Sequence, residues 1–136
     1  MRSYLWNLVV DPSAVDGQGH VNNVAVVQWV QDVAVAHSRA VGLGPEDYEA
    51  LGGMFVVRRH AVEYLRAAYL GDALTVSTWI DGASRIQCER LTEIKNAAGD
   101  LVVTARTTWV YLHRASLRPV RIPPAVRSAF SVTDPV

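Results

Sequence analysis

The sequence has a single cysteine, almost no lysine and no net charge. Because Cys88 is the only cysteine, no disulfide can form within the chain. Thirteen basic residues balance thirteen acidic ones, so no global field draws the protein to nucleic acid or to an anionic membrane. The first residues also lack the apolar core of a signal peptide. We therefore expect a cytoplasmic globular protein that binds neither nucleic acid nor a membrane.

A long segment without proline or glycine follows a glycine-rich loop. The loop reads Asp16-Gly-Gln-Gly-His-Val-Asn-Asn23, and the segment continues from there to Val41. Because a strand usually has about 5–6 residues, this length predicts a helix, which Asn22 or Asn23 would cap. The polar residues of the helix fall on one side, so we expect it to be buried over most of its circumference. They are too numerous for a membrane span, which needs about 20 predominantly apolar residues.

Five further segments are rich in β-branched and aromatic residues and predict strands. They are Tyr4–Val10, Met54–Arg66, Ala73–Asp81, Ser84–Lys95 and Leu101–His113. Turn residues at Asp81-Gly82 and at Asn96–Asp100 predict hairpins, so the last three strands should form an antiparallel meander. Pro45 is expected to open a short helix through Leu51, and Pro123-Pro124 another through Phe130, followed by a frayed tail.

These elements predict an α+β fold in a single domain, residues 1–136. One antiparallel sheet of five to six strands has an apolar face that needs cover, and the long helix can supply it. The edge of such a sheet invites pairing with another chain.

The candidate site lies where the glycine-rich loop meets the helix. The first helical turn presents N–H groups without intrahelical partners and the positive end of the helix dipole. Gly17 and Gly19 allow a sharp turn and a close approach of the backbone to a ligand. Asp16 places a carboxylate a few residues upstream. From the local sequence alone, Asp16 is equally well explained as a turn-forming residue.

The same loop resembles the Asp-x-x-Gly-His-Val-Asn-Asn signature of hotdog-fold thioesterases. These belong to the 4-hydroxybenzoyl-CoA thioesterase-like group, which includes the plant acyl-carrier-protein thioesterases. Val62–Arg66 with the turn at Gly71-Asp72, and the closing segment Arg118–Pro123, are also similar to that group. The resemblance covers nearly the whole chain and implies the hotdog fold, in which the sheet wraps around the long helix.

The resemblance also implies an activity: hydrolysis of an acyl-CoA or acyl-carrier-protein thioester to a free acid and a thiol. It implies that Asp16 is the base or nucleophile, that His20 supports it, and that the backbone N–H of Asn23 faces the thioester oxygen. The expected substrate-binding positions are Gly17, Gly19 and Asn22. No metal or other cofactor is expected, and coenzyme A enters only as part of the substrate. In similar proteins two protomers join sheets edge to edge, so a homodimer or homotetramer is expected.

Arginine is the other notable feature, since it supplies every basic residue except Lys95. A guanidinium matches phosphate oxygens with two parallel hydrogen bonds, as recognition of coenzyme A would need. The arginines are spread along the whole chain, however, which a biased genomic base composition also explains. Both explanations stay open, and no arginine is assigned to a ligand.

Two other functions stay open. A hotdog hydratase or dehydratase carries an Asp-x-Asn-Pro-x-His loop with four residues between its Asp and His, whereas three residues separate Asp16 from His20 and no proline is present. A non-catalytic acyl-CoA sensor usually needs an output domain, for which we expect no residues to be left over. Asp32, on the polar side of the helix, is the alternative carboxylate, and we expect it to be solvated or at an interface.

Overall fold

Five strands form one antiparallel sheet in the computed structural model, which describes residues 3–132. They are β1 (Ser3–Val9), β2 (Gly53–Tyr64), β3 (Ala73–Ala83), β4 (Gln87–Lys95) and β5 (Leu101–His113). Their order across the sheet is β1-β3-β4-β5-β2. The predicted meander of the last three strands is therefore confirmed, and β1 and β2 are the edges.

Three α-helices connect or follow the strands in the described part of the chain. They are α1 (Asn23–Ala40), α2 (Pro45–Leu51) and α3 (Pro124–Ala129). The side-chain oxygen of Asn22 accepts the N–H of Ala25 at 2.8 Å, which confirms the predicted cap of the long helix. Between residues 3 and 132, no helix is long and apolar enough to cross a membrane. The predicted frayed tail includes residues 133–136, which lie outside the described part.

Helix α1 packs on one face of the sheet through a single stripe of side chains. The stripe consists of Val26, Val30, Val33, Ala34 and His37. Val26 and Val33 belong to an apolar core that also contains Leu74, Val76 and Ile94 of the sheet. This stripe and the sheet face hold the helix over the centre of the fold.

Burial over most of the circumference of α1 was a wrong prediction. Val24 is 80% exposed, Val35 is 44% exposed and Val27 is 36% exposed. The reason is that the sheet of this chain covers only one side of the helix. The valines on the remaining side therefore form an apolar surface that this chain does not cover.

The β3–β4 turn also differs from the prediction. Asp81-Gly82 lies inside β3, where the pairing with β4 shifts by one residue after Ile80. Such a bulge accommodates an extra residue without ending the strand. The turn follows it and is closed by the N–H of Ser84, which donates to the carbonyl of Gln87 at 2.8 Å. The predicted turn at Asn96–Asp100 is confirmed, because the N–H of its first residue donates to the carbonyl of its last at 3.0 Å.

Candidate active site

A cavity of about 390 Å³ lies at the N-terminal end of α1. Asp16, His20 and Asn23, the three predicted catalytic residues, all line it. Apolar side chains from α1 and the sheet form much of the remaining wall, namely Val26, Trp29, Leu74, Ile94, Val102 and Val103. The volume is typical of small-molecule sites, which measure about 300–1,000 Å³. The structure thus brings the loop, the helix start and an apolar space together.

Backbone hydrogen bonds hold the loop that carries Asp16. The N–H of Asp16 donates to the carbonyl of His20 at 2.8 Å, which closes the loop on itself. The N–H of Val21 donates to the carbonyl of Ala68 at 2.8 Å, which ties the loop to the segment after β2. These bonds satisfy polar groups of the backbone and fix where the loop lies.

The two glycines of the loop differ in conformation. Gly19 has φ +80°, in the left-handed region that favours glycine, whereas Gly17 does not lie there. Neither position is crowded, because a Cβ at either would meet nothing within 4 Å. The sharp turn is therefore confirmed at Gly19, and the close approach of a ligand to either glycine stays a prediction.

The carboxylate of Asp16 is oriented by its own loop. Its Oδ1 accepts the N–H of Gln18 at 2.9 Å and the N–H of His20 at 3.1 Å. These two bonds lower the pKa of Asp16 below its ordinary value of 3.8, and the bond from Gln18 has the larger effect. The group is exposed to solvent, so it is ionised at neutral pH and available to a reactant in the cavity.

The ring of His20 packs against a neighbouring aromatic side chain. It meets the ring of Tyr69 edge to face, with centroids 5.0 Å apart and an interplanar angle of 73°. The backbone of His20 is also paired with that of Tyr69. This contact holds the imidazole beside Asp16 on a loop that is tied at both ends.

The helix start offers a free donor. Asn22 is engaged as the cap, so its predicted role in substrate binding stays a prediction. Among residues 3–132, none accepts the N–H of Asn23, which is the first residue of α1. This N–H stands at the positive end of the helix dipole, in a residue that lines the cavity.

The segment at the end of β2 completes the cavity and was missed as part of the site. Tyr64, Leu65 and Arg66 line the cavity, as do Ala67 and Ala68. Their position depends on the pairing of β2 with β5, which brings distant parts of the chain together. The similarity of Val62–Arg66 to the thioesterase group was the only signal that could have drawn attention to it.

Other candidate groups lie outside this cavity. Asp32 is exposed and accepts a hydrogen bond from Gln28 at 2.7 Å, as expected of a solvated residue. Cys88 is buried, and burial raises the pKa of its thiol to about 11, so it is unreactive at neutral pH. No cluster of three metal-ligating side chains occurs within the described residues. That hydrolysis needs no metal stays a prediction.

Five antiparallel strands with one long helix packed on their face define a hotdog fold, and solved structures share it. A Lactobacillus plantarum protein provisionally described as an oleoyl thioesterase matches with a TM-score of 0.93 at 18% identity, over 98% of this chain and 52% of that chain. A 1,4-dihydroxy-2-naphthoyl-CoA thioesterase from Synechocystis matches with a TM-score of 0.87 at 19% identity, over 95% of this chain and 96% of that chain. The predicted fold is confirmed.

The chain belongs to the acyl-ACP thioesterase N-terminal domain family, whose model matches residues 3–130. A chloroplastic palmitoyl-acyl carrier protein thioesterase of Gossypium hirsutum is 29% identical over 122 residues. The aligned part is 82% of this chain and 30% of that protein, so the chain spans about a third of this relative. The predicted resemblance to the thioesterase group is confirmed.

Proposed function

We propose that the protein hydrolyses an acyl thioester, carried by coenzyme A or by an acyl carrier protein, to a free acid and a thiol. One observation carries this proposal: the ionised carboxylate of Asp16 and the free N–H of Asn23 line the same cavity. Thioester hydrolysis needs a group that attacks the carbonyl carbon or activates water, and a donor for the carbonyl oxygen. The apolar wall offers room for the acyl group, and membership of the family supports the assignment.

Asp16 promotes hydrolysis of the thioester by one of two routes. In direct attack, a carboxylate oxygen bonds to that carbon, the carbon–sulfur bond breaks, the thiolate takes a proton, and water then hydrolyses the anhydride. In general-base catalysis, Asp16 takes a proton from water while the water oxygen bonds to the carbonyl carbon; the carbon–sulfur bond then breaks, and the thiolate leaves and takes up the proton. The backbone hydrogen bonds that lower the pKa of Asp16 make it a weak base at neutral pH. A lower pKa also makes the carboxylate a weaker nucleophile, so both routes stay open.

The other predicted residues assist this step. The N–H of Asn23 stabilises the negative charge that develops on the thioester oxygen, and one such donor is worth about 2.7–4 kcal/mol in other enzymes. His20 supports the orientation of the loop, while Gly17, Gly19 and Asn22 shape the surface that the substrate meets. No metal or added cofactor takes part. Arg66 lines the cavity and is exposed, so its guanidinium is suited to a phosphate of the carrier.

We also propose that the protein is a cytoplasmic homodimer or homotetramer. Two surfaces that lack a partner within the described chain support the assembly. They are the edge strand β2 and the exposed valines of α1, namely Val24, Val27 and Val35. Multi-angle light scattering at micromolar concentration is expected to give at least twice the mass of the chain. A monomer with retained activity would contradict the proposed assembly.

Release of free thiol tests the proposed activity. Purified protein should release thiol from at least one member of a panel of short, medium, long and aromatic acyl-CoA substrates and acyl carrier proteins. A chelator should not change the rate, because no metal is proposed to take part. Loss of activity with a chelator would contradict the mechanism. Saturable binding of acyl-CoA without turnover on either carrier would instead favour a non-catalytic acyl-CoA-binding protein.

A further inference from the structure

The segment 68–70, which follows β2, pairs with the glycine-rich loop. The N–H of Leu70 donates to the carbonyl of Gly19 at 3.0 Å. The backbone of Tyr69 is paired with that of His20, and the two rings meet edge to face. The position of the loop, and with it the position of its carboxylate, therefore depends on where residues 68–70 lie.

A tight turn over residues 69–72 fixes this segment. The N–H of Asp72 donates to the carbonyl of Tyr69 at 3.0 Å. Gly71 has φ +86°, which is the conformation that the third position of a type II turn requires. In the opposite direction, the N–H of Tyr69 donates to Oδ2 of Asp72 at 2.9 Å. Two hydrogen bonds thus join the first and last residues of the turn, and the side chain of Asp72 makes one of them.

The backbone of Asp72 is anchored on the sheet. Its carbonyl accepts the N–H of Val10 at 2.9 Å, and the N–H of Gly71 donates to the carbonyl of Val10 at 2.9 Å. These bonds extend the pairing of β1 with β3 beyond its last pair, Val9 and Ala73. Val10 is 1% exposed and belongs to the apolar core. The carboxylate of Asp72 therefore connects a buried part of the fold to the segment that holds the loop.

Asp72 acts from outside the cavity at the start of α1. Neither Asp72 nor Tyr69 lines that cavity, so the carboxylate of Asp72 is not in contact with a substrate bound there. Without this acceptor, the N–H of Tyr69 loses its bond within the turn, and residues 68–70 can shift relative to the sheet. A displacement of a reacting group by about 1 Å can cost about 10²-fold in rate.

We infer that Asp72 is a positioning residue for thioester hydrolysis. By accepting the N–H of Tyr69, it holds the glycine-rich loop so that the carboxylate of Asp16 faces the substrate. This inference rests on the proposed function. The role needs an acceptor oxygen at the right distance and not a negative charge, because the backbone N–H that it binds is neutral.

Steady-state kinetics of three variants test the inference. In Asp72→Ala, kcat should fall at least about tenfold and KM should change less than about threefold, because the apolar wall of the cavity belongs to α1 and the sheet. Asp72→Asn retains an acceptor oxygen and should keep kcat within about threefold of the parent. Asp72→Glu keeps the charge but moves the carboxylate by one methylene, so its kcat should fall as in Asp72→Ala. This variant also serves if Asp72→Ala does not fold.

Asn96→Ala is the matched control. Oδ1 of Asn96 accepts the N–H groups of Ala98 and Asp100, each at 3.0 Å, in the turn that joins β4 to β5. Gly99 in that turn has the same φ of +86°, and Asn96 lies outside the cavity. The kcat of Asn96→Ala should equal that of the parent. Near-native kcat in Asp72→Ala and Asp72→Glu, or an equal fall in Asp72→Asn or Asn96→Ala, would overturn the positioning role.

Amide hydrogen exchange, measured by NMR, separates this inference from the proposed function. The N–H groups of Leu70 and Val21 donate across the contact between residues 68–70 and the loop. Both should exchange at least about tenfold faster in Asp72→Ala and Asp72→Glu, while the amides of β4 keep their parental rates. Asp72→Asn and Asn96→Ala should leave the exchange of Leu70 and Val21 unchanged.

Unchanged exchange of Leu70 and Val21 in Asp72→Ala and Asp72→Glu would overturn the inference even where the parent protein hydrolyses a thioester. Faster exchange of the β4 amides as well would also overturn it, because the effect would then be a general loss of stability. A parent protein that cleaves no thioester would overturn the proposed function and with it the effect on kcat. The exchange rates would then still decide whether Asp72 holds the loop.

Discussion

The two ends of α1 hold their charged groups in opposite ways. At the N-terminal end, Asp16 is exposed, and its two hydrogen bonds come from residues two and four positions away in the chain. At the C-terminal end, Arg90 is buried, and its partners lie 12 and 53 positions away. A charge held by a local turn in contact with solvent is free to react, whereas a charge held inside the fold is part of the core.

This difference separates activity from stability. Changes at the Asp16 loop should alter the reaction and leave the fold intact, because the loop contributes little to the apolar core. Changes at the buried cluster around His37 should alter stability and leave the chemistry at the other end of the helix intact. Each prediction below tests one side of this contrast.

The largest expected effect is that of Asp16→Asn. The substitution keeps the size of the side chain and its ability to form the turn but removes the charge, so kcat for thioester hydrolysis should fall at least about 10²-fold. The midpoint of thermal unfolding should shift no more than it does for an ordinary surface substitution. Asp32→Asn is the matched control, because it removes a carboxylate that is exposed on α1 and outside the cavity.

An Asp16→Asn variant with near-native kcat would contradict the catalytic assignment. If Asp32→Asn then lost activity, the helical carboxylate would replace Asp16 as the reacting group. Both variants should be measured on the substrate that the parent protein cleaves fastest.

Two histidines sharpen the contrast next. His37 is fully buried, stacked on Tyr4 at 5.8 Å and edge to face with Phe130 at 4.9 Å. His37→Ala would leave a cavity there and should lower the free energy of unfolding by about 2–4 kcal/mol, as for other buried truncations.

His20→Ala should lower the free energy of unfolding by less than His37→Ala does, because the ring of His20 lies on the loop. It should also lower kcat, though by less than Asp16→Asn does. Urea unfolding measures the stability of both variants, and initial rates measure their kcat. A larger loss of stability in His20→Ala than in His37→Ala would contradict the contrast between the two ends of the helix.

The same contrast explains what the sequence could predict. Asn22 caps α1 and Gly19 turns the loop through interactions between neighbouring residues, so their positions could be predicted from local pattern. Asp81-Gly82 shows the limit of local pattern, because a turn-forming pair became a bulge once β3 paired with β4 beyond it. Whether a dipeptide turns or bulges depends on the register of the neighbouring strand.

Long-range contacts account for most of the rest. The sequence predicted strands β2 and β4, but nothing in it placed Arg66 in the same cavity as Asp16, or Arg90 beside His37, since these positions are set by the packing of helix on sheet. The exposed valines of α1 were misjudged for the same reason, because periodicity identifies an apolar residue but not what covers it. The loop that carries Asp16 was predictable because its residues are consecutive.

A smaller effect distinguishes the two loop glycines. Gly19→Ala places a Cβ on a residue with φ +80°, which should cost about 1–2 kcal/mol of stability, whereas Gly17→Ala should stay within about 0.5 kcal/mol of the parent. Because nothing lies within 4 Å of either added Cβ, the difference isolates backbone conformation from packing. Urea unfolding of the two variants measures it. Equal stabilities would mean that the loop adapts freely, which would contradict a fixed position for Asp16.

The smallest expected change is the response of activity to acid. Because the pKa of Asp16 is lowered, its carboxylate stays ionised as the pH falls. The carboxylate takes up a proton only below pH 3.8, the ordinary pKa of the group. The rate that depends on this carboxylate is therefore fully present above that value and falls as the pH passes through the lowered pKa. We expect kcat/KM to stay nearly constant from about pH 7 to about pH 5. Circular dichroism at each pH separates loss of fold from loss of the carboxylate. A fall in kcat/KM centred near pH 6.5, the ordinary value for histidine, would instead assign the essential ionisation to an imidazole.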